Sequence, residues 1–137
     1  MQSVKVYIGK DHYKTVMKTE NNLMIADEPK DMGGTDLGFS PDELMAASLA
    51  ACTVITMRMY ADRKKYNLDS IELKVSVEWD KVAMRTIMTK KLKFNGTLSS
   101  WEIKRLRDIG DKCPIHKMLQ HPIIISTEFE ESVQASL

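Results

Sequence analysis

The stretch Ser40–Lys64, SPDELMAASLAACTVITMRMYADRK, decides how the rest of the chain is read. Ser40 is placed to cap a helix, Pro41 to take its first position, and Asp42 and Glu43 to put carboxylates where the helix dipole favours them. Glu43, three residues after Ser40, completes a capping box. From Leu44 to Met57 nearly every position is apolar or small, a pattern that predicts a helix enclosed on all sides. Ala46, Ala47, Ala50 and Ala51 leave room for close approach of another backbone, including that of a second copy. Cys52 shares a face with Met45, Ser48, Leu49, Ile55, Thr56 and Met59. Arg58, Arg63, Lys64 and Lys65 bring positive charge to the C-terminal end, as the dipole prefers.

Toward the N-terminus, Val4, Val6 and Ile8 alternate with polar residues, Gly9–His12 supplies a turn, and Tyr13–Thr19 resumes an extended pattern. Asn21-Asn22 makes a second turn before a short strand, Leu23–Ala26, so the chain opens as a three-stranded meander. Asp27–Phe39, DEPKDMGGTDLGF, holds three of the six glycines and reads as a long loop, a kind that often carries function.

Toward the C-terminus, Ile71, Leu73, Val75 and Val77 alternate with Glu72, Lys74, Ser76 and Glu78, a strand with one wet face. Arg85–Phe94 repeats the alternation, with Met88, Lys90, Leu92 and Phe94 in one phase; the two runs pair across Lys81–Met84, and Asn95-Gly96 closes the second with turn residues. Leu98–Asp111 reads as a helix capped by Ser99 or Ser100. A further helix begins at Cys113-Pro114 and is ended by His121-Pro122, and Ile123, Ile125, Thr127 and Phe129 form a last strand. The order βββ-α-ββ-α-α-β keeps strands and helices apart, which is α+β rather than alternating βαβ, in a single domain over 1–137.

A chain of 137 residues can bury a core without disulfide staples. Its 20 basic and 19 acidic residues nearly cancel, leaving no field to draw in nucleic acid or an anionic membrane. The N-terminus alternates like a strand and lacks the apolar run of a signal peptide, which points to the cytoplasm. The apolar run Leu44–Met57 is too short to cross a bilayer and meets Arg58 at once, so no membrane span is expected. Without a GxGxxG or GxxxxGK motif, no nucleotide cofactor has a cradle.

Chemistry then rests on the two cysteines. Cys52, taken alone on an apolar helix, reads as a buried small hydrophobe. Cys113 at a helix N-terminus, with Lys112, His116 and Lys117 near in sequence, has the surroundings of a reactive or resolving thiol, or else simply caps its helix. The Cys113/His116 spacing supplies two metal ligands where a structural zinc needs four, and no second close pair completes it, so no metal is assigned. A pair of thiols doing redox chemistry fits this inventory best: one is oxidised by a peroxide to a sulfenic acid and the other condenses with it to a disulfide.

The stretches at 27–64, DEPKDMGGTDLGFSPDELMAASLAACTVITMRMYADRK, and at 113–119, CPIHKML, resemble the OsmC/Ohr family of organic hydroperoxide reductases, in its broader OsmC-like branch. The order of strands and helices agrees, so the resemblance covers essentially the whole chain. It implies an OsmC-like fold in an intertwined homodimer, with two long central helices packed together and each active site at the subunit interface. It further implies a thiol peroxidase in oxidative-stress defence, with Cys52 peroxidatic, Cys113 resolving, an organic hydroperoxide as substrate and an external thiol such as a lipoylated protein as reductant. The family's catalytic glutamate, ten residues before the first cysteine, falls on Asp42. Ten helical residues rise about 15 Å, so Asp42 would serve the thiol of the partner subunit or lie where the chain has turned. The family's N-terminal arginine has no counterpart before Arg58; Lys14 and Lys18 are the basic residues of the second strand. The alternative within the same resemblance is an OsmC-like protein that binds a small molecule with little or no peroxidase activity.

Overall fold

In the computed structural model, which describes residues 1–130, helix α1 (Pro41–Lys64) starts as the sequence predicts. The Ser40 hydroxyl accepts from the Glu43 N–H at 3.3 Å, and Glu43 Oε1 accepts from the Ser40 N–H at 3.0 Å. Lys65, at φ 58°, ends the helix in the left-handed conformation. Strands β1 (Lys5–Ile8), β2 (Thr15–Lys18) and β3 (Leu23–Ala26) form an antiparallel meander, and β4 (Asn67–Asp80) and β5 (Arg85–Thr97) form a long antiparallel hairpin across 81–84. Helix α2 (Ser100–Gly110) is capped by Ser99, which shares a second capping box with Glu102, and α3 (Pro114–Leu119) is capped by Cys113.

Period-two alternation on the hairpin sets the core. Ile71, Leu73, Val75 and Val77 of β4 and Met88, Lys90, Leu92 and Phe94 of β5 are half-buried, while the residues between them face water. Leu73 lies opposite Leu92 and Val75 opposite Lys90. Helix α1 lies on this sheet with α2 beside it, and Met57, Tyr60, Ala61, Leu68 and Leu106 form the buried centre. Truncating a buried methionine or leucine here would cost about 2–5 kcal/mol, so this cluster fixes where α1, and with it Cys52, stands.

Two expectations need correcting. Helix α1 is not enclosed by its own chain: Leu49, Thr53, Met57, Tyr60 and Ala61 are buried, but Met45, Ile55 and Met59 are 44%, 51% and 67% exposed. The single hairpin layer covers one stripe and nothing in the described chain covers the other. The 24-residue helix is long and apolar enough by length and composition to cross a bilayer, and its packed stripe shows that part of this apolar character serves the core. Finally, Asn95-Gly96 does not close β5 as a turn. Both lie within the strand, beside an irregularity at Leu68/Ser70 in β4 that leaves Asp69 without a partner, and Gly96 takes φ 141° there.

The expected last strand is not formed within the described chain. Residues 121–130 pair with no strand, and Ile123, Ile124, Ile125 and Phe129 are exposed. An extended segment becomes a strand only when an edge accepts its backbone hydrogen bonds, and none does so here. The apolar alternation is present, but among the described residues nothing supplies its cover.

Candidate functional site

Cys52 is carried by α1, and Cys113 meets α1 from the start of α3. Cys113 is fully buried at the start of α3, where its Sγ accepts from the His116 N–H at 3.3 Å and lies 3.7 Å from Thr53 Oγ1. The Thr53 hydroxyl donates its one hydrogen to the Leu49 carbonyl at 2.7 Å, so in the Thr53–Cys113 contact the thiol is the donor. Cys52 precedes Thr53 in the helix and points about 100° away from it. It is half-buried and belongs to the open stripe with Ile55 and Met59. The fold therefore brings Cys113 against the residue next to Cys52, with one thiol sealed under α3 and the other on the side of α1 left uncovered by the chain.

Asp42 is exposed in the first turn of α1. The helix is uninterrupted from there to Cys52, a rise of about 15 Å, so the chain does not bring its own Asp42 to its own Cys52. Glu43 is occupied by the capping box, and its carboxyl is held below the usual range by the Ser40 backbone N–H first and the Ser40 hydroxyl second. Arg58 donates to Asp62 at 2.6 and 2.9 Å and to the Leu68 carbonyl at 2.7 Å, tying α1 to the start of β4 on the side away from Cys52. Lys14 and Lys18 are exposed in the N-terminal sheet region.

Two residues not singled out from the sequence organise the surroundings. Asp27, 3% exposed, closes the glycine-bearing loop. Its carboxylate accepts from the N–H groups of Tyr13, Glu28, Thr35 and Leu37 at 2.8–3.4 Å and from the Thr35 hydroxyl at 2.6 Å. The Thr35 hydroxyl, against the opposing pull of burial and with help from the backbone donors, holds this carboxyl far below its ordinary value. At Gly38 an added Cβ would collide with the Ile25 carbonyl, so the glycine lets the loop return along β3 toward Ser40. An aspartate at the head of a glycine-rich loop is the signal that could have found it.

Lys90 is the second. It sits in the inward phase of β5, its side chain only 12% exposed, and its ammonium lies 3.0 Å from His116 Nδ1 and 3.4 Å from Asp111 Oδ1. A lysine in phase with Met88, Leu92 and Phe94 is the sequence signal that could have found it. A cation from the sheet thus reaches the same helix that Cys113 caps. Among the described residues no group of three or more His, Cys, Asp or Glu gathers around the Cys113/His116 pair as metal ligands.

Comparison with known proteins places this geometry. A protein from Psychrobacter arcticus 273-4, named by inference as an osmotic stress induced and detoxification response protein, is 26% identical, with 89% of this chain and 90% of that one aligned at a TM-score of 0.76. An OsmC-like protein from Mycoplasma pneumoniae has 19% identity, 86% coverage of each chain and a TM-score of 0.74. The organic hydroperoxide resistance protein OhrB of Bacillus subtilis has 23% identity, coverage of 85% of this chain and 90% of that one, and a TM-score of 0.58. No curated protein matches the chain. The family model described as OsmC-like protein matches residues 33–128, which span the glycine loop, α1, the long hairpin and both cysteines, and the chain belongs to that family.

Proposed function

We propose that this protein is a thiol-dependent peroxidase that reduces organic hydroperoxides in the defence against oxidative stress, through Cys52 and Cys113. The observation that carries the reading is the placement of Cys113 against Thr53, the neighbour of a half-buried Cys52 on the same helix. Family membership and the hydroperoxide resistance of similarly folded proteins support it.

The Cys52 thiolate attacks one peroxide oxygen; the O–O bond breaks, the alkoxide leaves and takes a proton as the alcohol, and Cys52 becomes a sulfenic acid. Cys113 then attacks the Cys52 sulfur, the S–O bond breaks and water leaves with the Cys113 proton. An external dithiol, a dihydrolipoyl group by family likeness, reopens the disulfide by exchange and is itself oxidised. Closure needs the two cysteines' Cα atoms within about 7 Å and Cβ vectors that face each other.

The working unit is a single-domain polypeptide acting as a homodimer in the cytoplasm, without metal or cofactor. The uncovered stripe of α1 packs on its counterpart, and Asp42 of the partner subunit stands where the chain's own Asp42 cannot. In a test with cumene hydroperoxide and excess dihydrolipoamide, the wild type turns over peroxide and Cys52→Ser does not. Without the dithiol, Cys113→Ser performs one round of oxidation and stops at the sulfenic acid, whereas the wild type closes to the disulfide. Equal peroxide loss with and without the wild-type protein would refute the reading.

A further inference from the structure

We propose that the cavity walled by Lys90, Arg107 and His116 is a binding site for an organic anion, a carboxylate or phosphate monoester carrying a short aliphatic body. The cavity shares His116 with the surroundings of Cys113, but the binding proposed here does not depend on the thiol reading. The cavity lies between β5, the end of α2 and α3, and its volume of about 520 Å³ is in the range of small-molecule pockets.

Its chemistry is two-sided. Leu92 and Leu119 line it with aliphatic surface, while Lys90, Arg107 and His116 line it with donors. Asp111 is the one carboxylate in the lining, so the formal charge of the walls stays positive with His116 neutral. That carboxylate is 65% exposed and 3.4 Å from the Lys90 ammonium, so water screens the one ion pair that compensates a lysine whose side chain is 88% removed from solvent. Carrying an ammonium into the apolar phase of a sheet costs stability, and a methionine or leucine at position 90 would continue the pattern of β5 without that cost. An anion in the cavity would supply the missing compensation.

The hydrogen-bond roles fit an oxyanion. An ammonium has only donors, so His116 Nδ1 accepts from Lys90 and the imidazole proton lies on Nε2. The cavity therefore has three kinds of donor on its walls: the remaining ammonium hydrogens, an imidazole N–H and a guanidinium whose planar fork suits carboxylate or phosphate. The volume exceeds what an inorganic oxyanion fills, and the leucines account for the remainder with an aliphatic chain.

The test is titration calorimetry on the reduced full-length protein with hexanoate, hexyl phosphate, inorganic phosphate and 1-hexanol as probes. Saturable binding of hexanoate, hexyl phosphate or both, at least about tenfold tighter than 1-hexanol and inorganic phosphate, is expected, and the tighter of the two identifies the head group. Lys90→Met should lower that affinity at least about tenfold while the protein remains folded by circular dichroism. Arg107→Gln, a change at an exposed position, provides a second reading should Lys90→Met fail to fold, with the same direction of effect expected. Absence of saturable binding by both organic anions would overturn the proposal. So would equal affinity for 1-hexanol, or undiminished affinity in Lys90→Met or, where that variant does not fold, in Arg107→Gln. None of these outcomes bears on peroxide turnover, so failure here and failure of the peroxidase reading are distinguishable.

Discussion

Asp27 illustrates how one side chain positions a site it does not enter. Its carboxylate gathers donors from Tyr13, Glu28, Thr35 and Leu37, and so holds the loop that delivers Ser40 to the start of α1. A carboxyl whose folded value lies below its unfolded one contributes stability that is fully present above the unfolded pKa, about 3.9, and is lost as pH falls through the folded value. Asp27→Asn should therefore lower the melting temperature at neutral pH. The gap to wild type should narrow as pH falls from about 4 toward the folded value, because the unfolded wild type then binds a proton that the folded carboxylate does not take up. Thermal melts across that range check it; a gap independent of pH would contradict the assignment. At this scale the sequence made the Ser40 capping box and the Cys113 cap of α3 legible, because cap chemistry is local. It did not reveal Thr53 as the residue that receives Cys113, since that contact joins positions 60 residues apart.

Elements were legible where period and punctuation agreed. The hairpin alternation, the Ser40 capping box, the cap at Ser99 and the proline that opens α3 all appear where expected. Asn95-Gly96 misled because a glycine needed for a bulge and one needed for a turn look alike in sequence. The distinction has a measurable consequence. Gly96 combines φ 141° with a backbone carbonyl, that of Asn67, in the space of an added Cβ, whereas at Gly110 the added Cβ meets chiefly the flexible end of Met57. Gly96→Ala should cost about 1–3 kcal/mol in backbone conformation alone, with the carbonyl clash added. Gly110→Ala should cost less, nearer the lower end of the roughly 1–3 kcal/mol typical of overpacking. Urea unfolding of the two variants checks the order; a reversed order would place the strain elsewhere.

For the whole molecule, the fold class was legible and the extent of its burial was not. A helix apolar on all faces says that every face is covered, but not by which chain. Within the described residues the open stripe of α1, the exposed strand β1 and the extended apolar segment around Ile123–Ile125 all lack cover. A second copy supplies it in the account given above. Ile55→Glu, which places a charge in the open stripe, should convert a dimer to monomer or weaken its association at least about a hundredfold in sedimentation equilibrium, corresponding to about 2.7 kcal/mol. An unchanged mass for that variant would remove α1 from the interface, and a monomeric wild type would remove the partner's Asp42 from the chemistry.

The central claim is that Cys52 and Cys113 form one redox couple, and it is tested most directly by treating the fully reduced protein with one equivalent of cumene hydroperoxide, then alkylating, digesting and mapping the thiols by mass spectrometry. The account predicts an intramolecular Cys52–Cys113 disulfide, formed with release of cumyl alcohol and absent from Cys52→Ser. Two free thiols beside unconsumed peroxide would contradict it.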